Sequence, residues 1–215
     1  MEKRAKMYLK SKNIWKVWGF IFVNVMIFWS LMVLDTFDFV SVKEIIFKID
    51  FKQSLLACLF PVLTIVLNSI IKPSLKEILV FWHIKNPLPG SRAFTELSPK
   101  DTRIDITKLR NLVGEFPDSP QEQNQLWYRL YKKHMSKPTI EGYLQDYLLT
   151  RDLTALSFLF LVVFGIAIWL INTEPKIKLI YAGLLIGQYL ITRVAAKNNG
   201  ERLVCNVLAE ESVGS

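Results

Sequence analysis

The stretch LTALSFLFLVVFGIAIWLINT, residues 153–173, runs for 21 positions without a charge. At about 1.5 Å per residue, a helix of this length matches the hydrocarbon thickness of a bilayer. A helix also satisfies its own backbone there, where no water can. The pattern recurs along the chain. Val17–Leu34 is uncharged for 18 residues and Gln53–Ile71 for 19. A fourth run, Ile177–Ala196, is interrupted only by Lys178 near one end and Arg193 near the other. Both side chains are long enough to snorkel to opposite interfaces.

The composition agrees. The chain has 215 residues, 51% hydrophobic and 21% charged, with a formal net charge of +8 and a mean hydropathy of +0.26. Too little polar surface remains to bury four such helices, which excludes an ordinary soluble globular enzyme as well as a disordered chain. The expected fold is an all-α integral membrane protein with four transmembrane helices and a helical cytoplasmic insert between spans 2 and 3. Residues 1–71 form a basic segment and the first hairpin, with spans at about 16–35 and 53–71. Residues 72–152 form the insert. Residues 153–196 form the second hairpin, with spans at about 153–172 and 177–196, and 197–215 are a cytoplasmic tail. The first run follows a basic segment, as a signal peptide would. Its length and the absence of a small-residue cleavage site over Ser30–Asp35 make it a retained anchor.

Charge sets the orientation. Lys3, Arg4, Lys6, Lys10, Lys12 and Lys16 precede the first span, and only five of the 27 Lys and Arg fall in the two short connections, 35–52 and 174–178. The positive-inside rule then places both termini and the insert in the cytoplasm of a multi-pass protein of the cell inner membrane. The positive charge reads as contact with the anionic lipid bilayer rather than with nucleic acid, because 13 basic residues in 72–152 are diluted by 10 acidic ones. Cys58 falls in the second span and Cys205 in the tail, so no disulfide is expected.

Within the spans, Trp15, Trp18, Trp29, Trp169 and Tyr181 fall where aromatic belts lie. Pro61 is expected to kink the second helix. Gly183 and Gly187 allow close helix approach, within the chain or between copies of a homo-oligomer. Asn24 and Gln188 are expected to bond between helices, or to line a pore built from several copies. No ionisable residue sits near a midplane, which argues against an ion-coupled carrier. The outer connection 35–52 reads as a short interfacial helix, with Glu44 and Lys48 paired.

In the insert, Leu75, Ile78, Leu79 and Trp82 share a face and predict an amphipathic helix over 74–84. Asn86-Pro87-Leu88-Pro89-Gly90 stops it, and 86–105 reads as a loop. Thr107 is the expected N-cap of a short helix ending at Gly114. Ser119-Pro120-Gln121-Glu122 predicts a helix start with a capping box. The helix that follows carries Leu126, Leu130 and Tyr131 on one stripe, with Trp127 beside it and Arg129, Lys132, Lys133 and His134 toward its C-terminus. A further helix from about 139 carries Leu144, Tyr147 and Leu148 and runs into the third span, with Arg151 and Asp152 at the membrane boundary.

No catalytic motif is present. His83 and His134 lack Cys or carboxylate partners at ligand spacing, so neither a metal nor a cofactor is expected. There is no P-loop, nucleophile elbow or dinucleotide fingerprint. Asp101, Arg103 and Asp105 read as charges in turns. The candidate contact residues for a partner or anionic ligand are Arg92 and Phe94 on the proline-rich loop and Trp127, Arg129, Lys132 and Lys133 on the basic aromatic helix. The loop could equally be a structural wrap. The insert is too small and too polar to fold well alone, so it is expected to pack on its own membrane helices, on further copies, or on a soluble partner.

A basic N-terminus, two hairpins and one cytoplasmic insert together resemble the small four-span membrane subunits of prokaryotic anti-phage defence systems, such as the membrane component of Kiwa. The resemblance is one of plan across the whole chain and carries no residue roles. It implies a non-enzymatic sensor, effector or scaffold. Its cytoplasmic module would bind a soluble protein partner or anionic ligand and couple it to an oligomeric span bundle. A homo-oligomeric pore is the alternative. A membrane enzyme acting on lipid or phosphate through His83, Asp101 or His134 is the other.

Overall fold

The computed structural model describes residues 2–34, 64, 66–170 and 174–213, with side chains of the first helix from residue 8 to residue 31. The described residues contain no strand. Their α-helices include α1 (Glu2–Leu34), α2 (Pro73–Phe81), α3 (Ile106–Val113), α4 (Pro120–His134), α5 (Pro138–Leu170) and α6 (Pro175–Val213), and residues 66–70 are helical as well. Three of them, α1, α5 and α6, are long and apolar enough to cross a membrane. The expected interfacial helix over 35–52, Cys58, Pro61 and most of the 53–71 span lie outside the described residues. The chain divides into two compact units, one of residues 1–72 and 152–192, the other of 73–151 and 193–215. Helices α5 and α6 contribute to both.

The first unit has a core built at helical spacing. Leu156, Phe160, Phe164 and Ile168 of α5 recur every four residues and meet Ile21, Val25 and Leu31 of α1 and Tyr181 and Leu185 of α6. Phe28 stacks on Phe164 at 4.4 Å between centroids, and Phe164 on Phe160 at 5.1 Å. The outward faces are as apolar as the core: Phe22, Val23, Val162, Ile166, Leu179, Leu184 and Ile191 are all exposed. Apolar residues inside and out mark helices made for hydrocarbon surroundings.

Several expected roles fall differently. Trp15 and Trp169 are exposed, as belt residues are, whereas Trp29 and Tyr181 are buried in the unit. The Asn24 amide donates to the Phe20 carbonyl one turn back in its own helix, at 2.9 Å. A side-chain bond that does cross helices of this unit runs from Thr192 Oγ1 of α6 to Ser157 Oγ of α5, at 3.1 Å. Gln188 Nε2 is buried with no partner among the described residues. Among the described residues, a Cβ added at Gly183 or Gly187 would meet nothing within 4 Å, so neither glycine accommodates a close neighbour there.

The second unit departs most from expectation. Helix α2 buries Lys76, Glu77, Val80 and Phe81 rather than the Leu75/Trp82 stripe, because Glu77 has buried polar partners that outweigh the apolar periodicity. It ends at Phe81, short of the predicted 84, because Trp82 takes φ 55°. The left-handed region costs a bulky residue about 1–2 kcal/mol and breaks the helical path. The expected loop is instead a succession of tight helical turns, Pro89–Arg92, a π-helical Ala93–Leu97 and Ser98–Lys100. The N-cap of α3 is Asp105, not Thr107: its carboxylate accepts the Lys108 amide at 3.0 Å, and Gly114 at φ 86° closes the helix. Helix α4 does begin at Pro120 after Ser119, but the Ser119 hydroxyl donates to Gln121 Oε1 and makes no capping-box bond.

Helix α5 runs unbroken from Pro138 to Leu170, and α6 continues to Val213. The expected tail is therefore structural. Leu203, Val204, Val207 and Leu208 are all buried in the second unit. Gly200 marks the closest packing there, since a Cβ would stand 2.8 Å from the Phe81 ring and 3.0 Å from that of Tyr147.

Candidate functional site

The second unit is held by polar groups whose partners are distant in sequence. Gln123 of α4, 1% exposed, anchors the succession of turns. Its Oε1 accepts the Phe94 amide at 3.2 Å, the Thr95 amide at 3.4 Å and the Thr95 hydroxyl at 3.3 Å, while Nε2 donates to the Asp118 carbonyl at 3.4 Å. Gly90 lies flat against the same helix. A Cβ there would fall 2.5 Å from Asn124 Oδ1 and 2.8 Å from the Trp127 ring. Gly90→Ala should overpack this contact and destabilise the unit by about 1–3 kcal/mol. Faster amide exchange through Pro120–His134 is the expected readout, with 153–192 unchanged.

Three ionic clusters tie the helices together. The Glu77 carboxylate of α2 accepts the Tyr147 hydroxyl and the Arg151 guanidinium, the latter at 3.1 Å, and all three residues are buried. Asp101 binds Arg103 at 3.0 and 2.6 Å, and the same guanidinium reaches Asn206 Oδ1 at 3.1 Å, bringing α6 onto the turns. The Arg103 bond holds the Asp101 carboxyl below its ordinary pKa. Beside it, burial pushes the Cys205 thiol up to about 11, so it is an unreactive core thiol near neutral pH. At the end of α6, Glu211 takes Lys133 Nζ at 2.8 Å and His134 Nε2 at 2.5 Å, and Glu210 takes Lys137 at 2.7 Å.

Burial works to raise the Glu211 pKa, but the hydrogen bonds and charges of Lys133 and His134 outweigh it, and the net shift is downward. A carboxylate with a lowered folded-state pKa stabilises fully above its ordinary range and loses that contribution as pH falls through the lowered value. Asp101 has the same sign. Exchange protection at 203–213 should therefore decline between about pH 5 and pH 3, and Glu211→Gln should remove most of that pH dependence while leaving the Asp101 part.

A cleft of about 490 Å³ opens beside these clusters. It is lined by Ser74 and Glu77 of α2, Asn86 and Ser91 of the turns, and Gln121, Asn124 and Gln125 of α4, with Pro73, Pro87 and Leu88 as apolar wall. Its one charged lining residue, Glu77, is engaged with Tyr147 and Arg151. What remains is amide and hydroxyl chemistry, able both to donate and to accept. Asn124 Oδ1 is buried with no hydrogen-bond partner among the described residues. Such a surface suits an uncharged hydrogen-bonding segment, such as peptide backbone, better than an anion. Among the described residues, no three His, Cys, Asp or Glu side chains converge as a metal site would require.

The residues singled out from sequence fall into two groups. Phe94 is 3% exposed and packs on Phe116 at 5.0 Å. Arg92 is mostly covered, pairing with Glu96 at 3.8 Å, and Trp127 stacks on Tyr131 at 5.6 Å under Gly90. All three are largely taken up by packing in and around the turns. Arg129 and Lys132 lie exposed on the opposite face, Lys132 over the Tyr128 ring at 4.8 Å, while Lys133 is committed to Glu211. The cleft amides Gln121, Asn124 and Gln125 were not foreseen. No single-sequence signal separates them from solvated helix positions, since only the fold brings them opposite Asn86 and Ser91. No family model, curated protein or solved structure matches the chain.

Proposed function

We propose that the protein is a non-enzymatic four-span membrane scaffold or sensor of the inner membrane. Its second unit lies in the cytoplasm with both termini and binds a soluble protein partner. The observation that carries this reading is the continuity of α5 and α6, two of the three apolar helices, into a polar unit that carries a hydrogen-bonding cleft. A partner segment in that cleft would touch α2 and α4, which Glu77–Arg151 and Glu211–His134 join to α5 and α6. A defence role of the kind suggested by the four-span plan is the setting we favour. Self-association through the Gly183/Gly187 face is part of the same reading, and it is supported by two glycines and a Gln188 Nε2 that have no close neighbour or hydrogen-bond partner among the described residues.

The test is purification from the native host in mild detergent, with native mass measurement. The expected result is a stoichiometric soluble partner, lost from the Gln121→Glu/Gln125→Glu variant while the bundle stays monodisperse. A partner-free oligomer that conducts ions in liposomes would overturn it in favour of a pore.

A further inference from the structure

Two aromatic–cation pairs mark α6 at a separation that matters. Lys178 Nζ lies 5.7 Å from the Trp169 ring centroid, and the Arg193 guanidinium lies 3.5 Å from that of Trp82. Fifteen residues of one helix separate the two cations, about 22 Å at the rise of an α-helix. With both side chains extending outward, that span approaches the roughly 30 Å of a bilayer's hydrocarbon layer. Lys178 and Trp169 are an ordinary belt pair at one end of a span. At the other end the aromatic comes from the second unit and not from a membrane helix.

Trp82 opens an exposed run. Trp82 is 57% exposed and Ile84 83%, His83 and Lys85 are exposed between and after them, and Leu75 and Leu88 flank the run. The left-handed backbone at Trp82 ends α2 and starts this segment. No Asp or Glu occurs between residues 78 and 95, while Lys85 and Arg193 are cationic. Apolar and aromatic side chains interleaved with cations, at the level of a snorkelling arginine, have the chemistry of the headgroup–acyl boundary.

We infer that the segment Trp82–Leu88 is an interfacial anchor, which seats the second unit on the anionic bilayer that α6 crosses. Trp82 and Ile84 enter the acyl boundary, and Lys85 and Arg193 meet lipid phosphate. This rests on the reading of α6 as a span. The anchor fixes the depth of α2, and through it the cleft that Ser74 and Glu77 line.

The test uses the full chain with Cys58→Ser and Cys205→Ser, reconstituted in vesicles of phosphatidylcholine and phosphatidylglycerol. A nitroxide is placed in turn on Ile84→Cys, Leu112→Cys and Ile166→Cys, three exposed positions in the run, in α3 and in α5. The ratio of oxygen to nickel-chelate accessibility reports depth. The expected order is 166 highest, 84 intermediate and several-fold above 112, with Trp82→Ser lowering 84 toward 112 and leaving the other two unchanged. A ratio at 84 equal to that at 112, with 166 high, would overturn the anchor alone. A water-like ratio at 166 would overturn the spanning reading and the anchor with it.

Discussion

A chain ended after Arg202 should lose the fold of its second unit. Leu203, Val204, Val207 and Leu208 are each 3% exposed or less, and truncation removes all four. At about 1.5–3 kcal/mol per buried aliphatic side chain, the loss is about 6–12 kcal/mol. That is comparable to the whole stability of a typical domain, about 5–15 kcal/mol. The cut also removes Asn206 from Arg103 and Glu211 from Lys133 and His134. Amide exchange on the detergent-solubilised protein should show residues 120–148 exchanging as open chain, with 156–185 still protected. Retained protection at 120–148 would mean that the C-terminal part of α6 is an accessory and not a wall of the core.

Glu77→Ala should be the most damaging single substitution in the polar interior. It takes the carboxylate from a buried guanidinium, Arg151, and from the Tyr147 hydroxyl. Breaking a buried pair from one side typically costs about 3–5 kcal/mol, more than the net worth of the pair, because the remaining charge stays desolvated. Removing the polar groups together should restore much of the loss, so Glu77→Leu with Tyr147→Phe and Arg151→Met should melt closer to the parent than Glu77→Ala does. Thermal unfolding in detergent, followed by protease sensitivity of 73–151, distinguishes the two. A triple variant no better than the single one would show that the cluster acts through shape and not charge.

Three of the four apolar helices, and the start of α5 near Pro138, were legible because hydrophobic runs and prolines act locally, while most of the 53–71 run lies outside the described residues. The C-terminal part of α6 was missed for an instructive reason. Lys197 through Arg202 is polar, and the hydropathy run stops at Ala196. Yet Gly200, Leu203, Val204, Val207, Leu208 and Glu211 recur at helical spacing, and that periodicity was available. Glu77 and Gln123 could not be read in advance. A buried Glu or Gln looks like any surface residue until its partners, 70 positions away at Tyr147 and 29 away at Phe94, are known. The α3 cap shows a local competition resolved by chemistry. Asp105 and Thr107 are both capping types, and the charged carboxylate at the right phase takes the amide.

The turns over 89–100 looked like a loop because prolines and glycine punctuate them. Those residues instead permit close contact, since Gly90 is where the backbone meets Asn124 and Trp127. The contact residues foreseen there are mostly covered, Arg92 by its pairing with Glu96 and Phe94 against Phe116, and the open hydrogen-bonding groups lie one layer away, in the cleft amides of α4.

The central claim is that the second unit and the C-terminus share one side of a membrane, with the 174–178 connection on the other. Single cysteines at Leu112, Lys176 and Val213, in a background with Cys58→Ser and Cys205→Ser, test it most directly. All three positions are exposed. An impermeant maleimide should reach 112 and 213 only in inverted membrane vesicles, and 176 only in intact spheroplasts. Labelling of 112 and 176 from the same side would contradict the account.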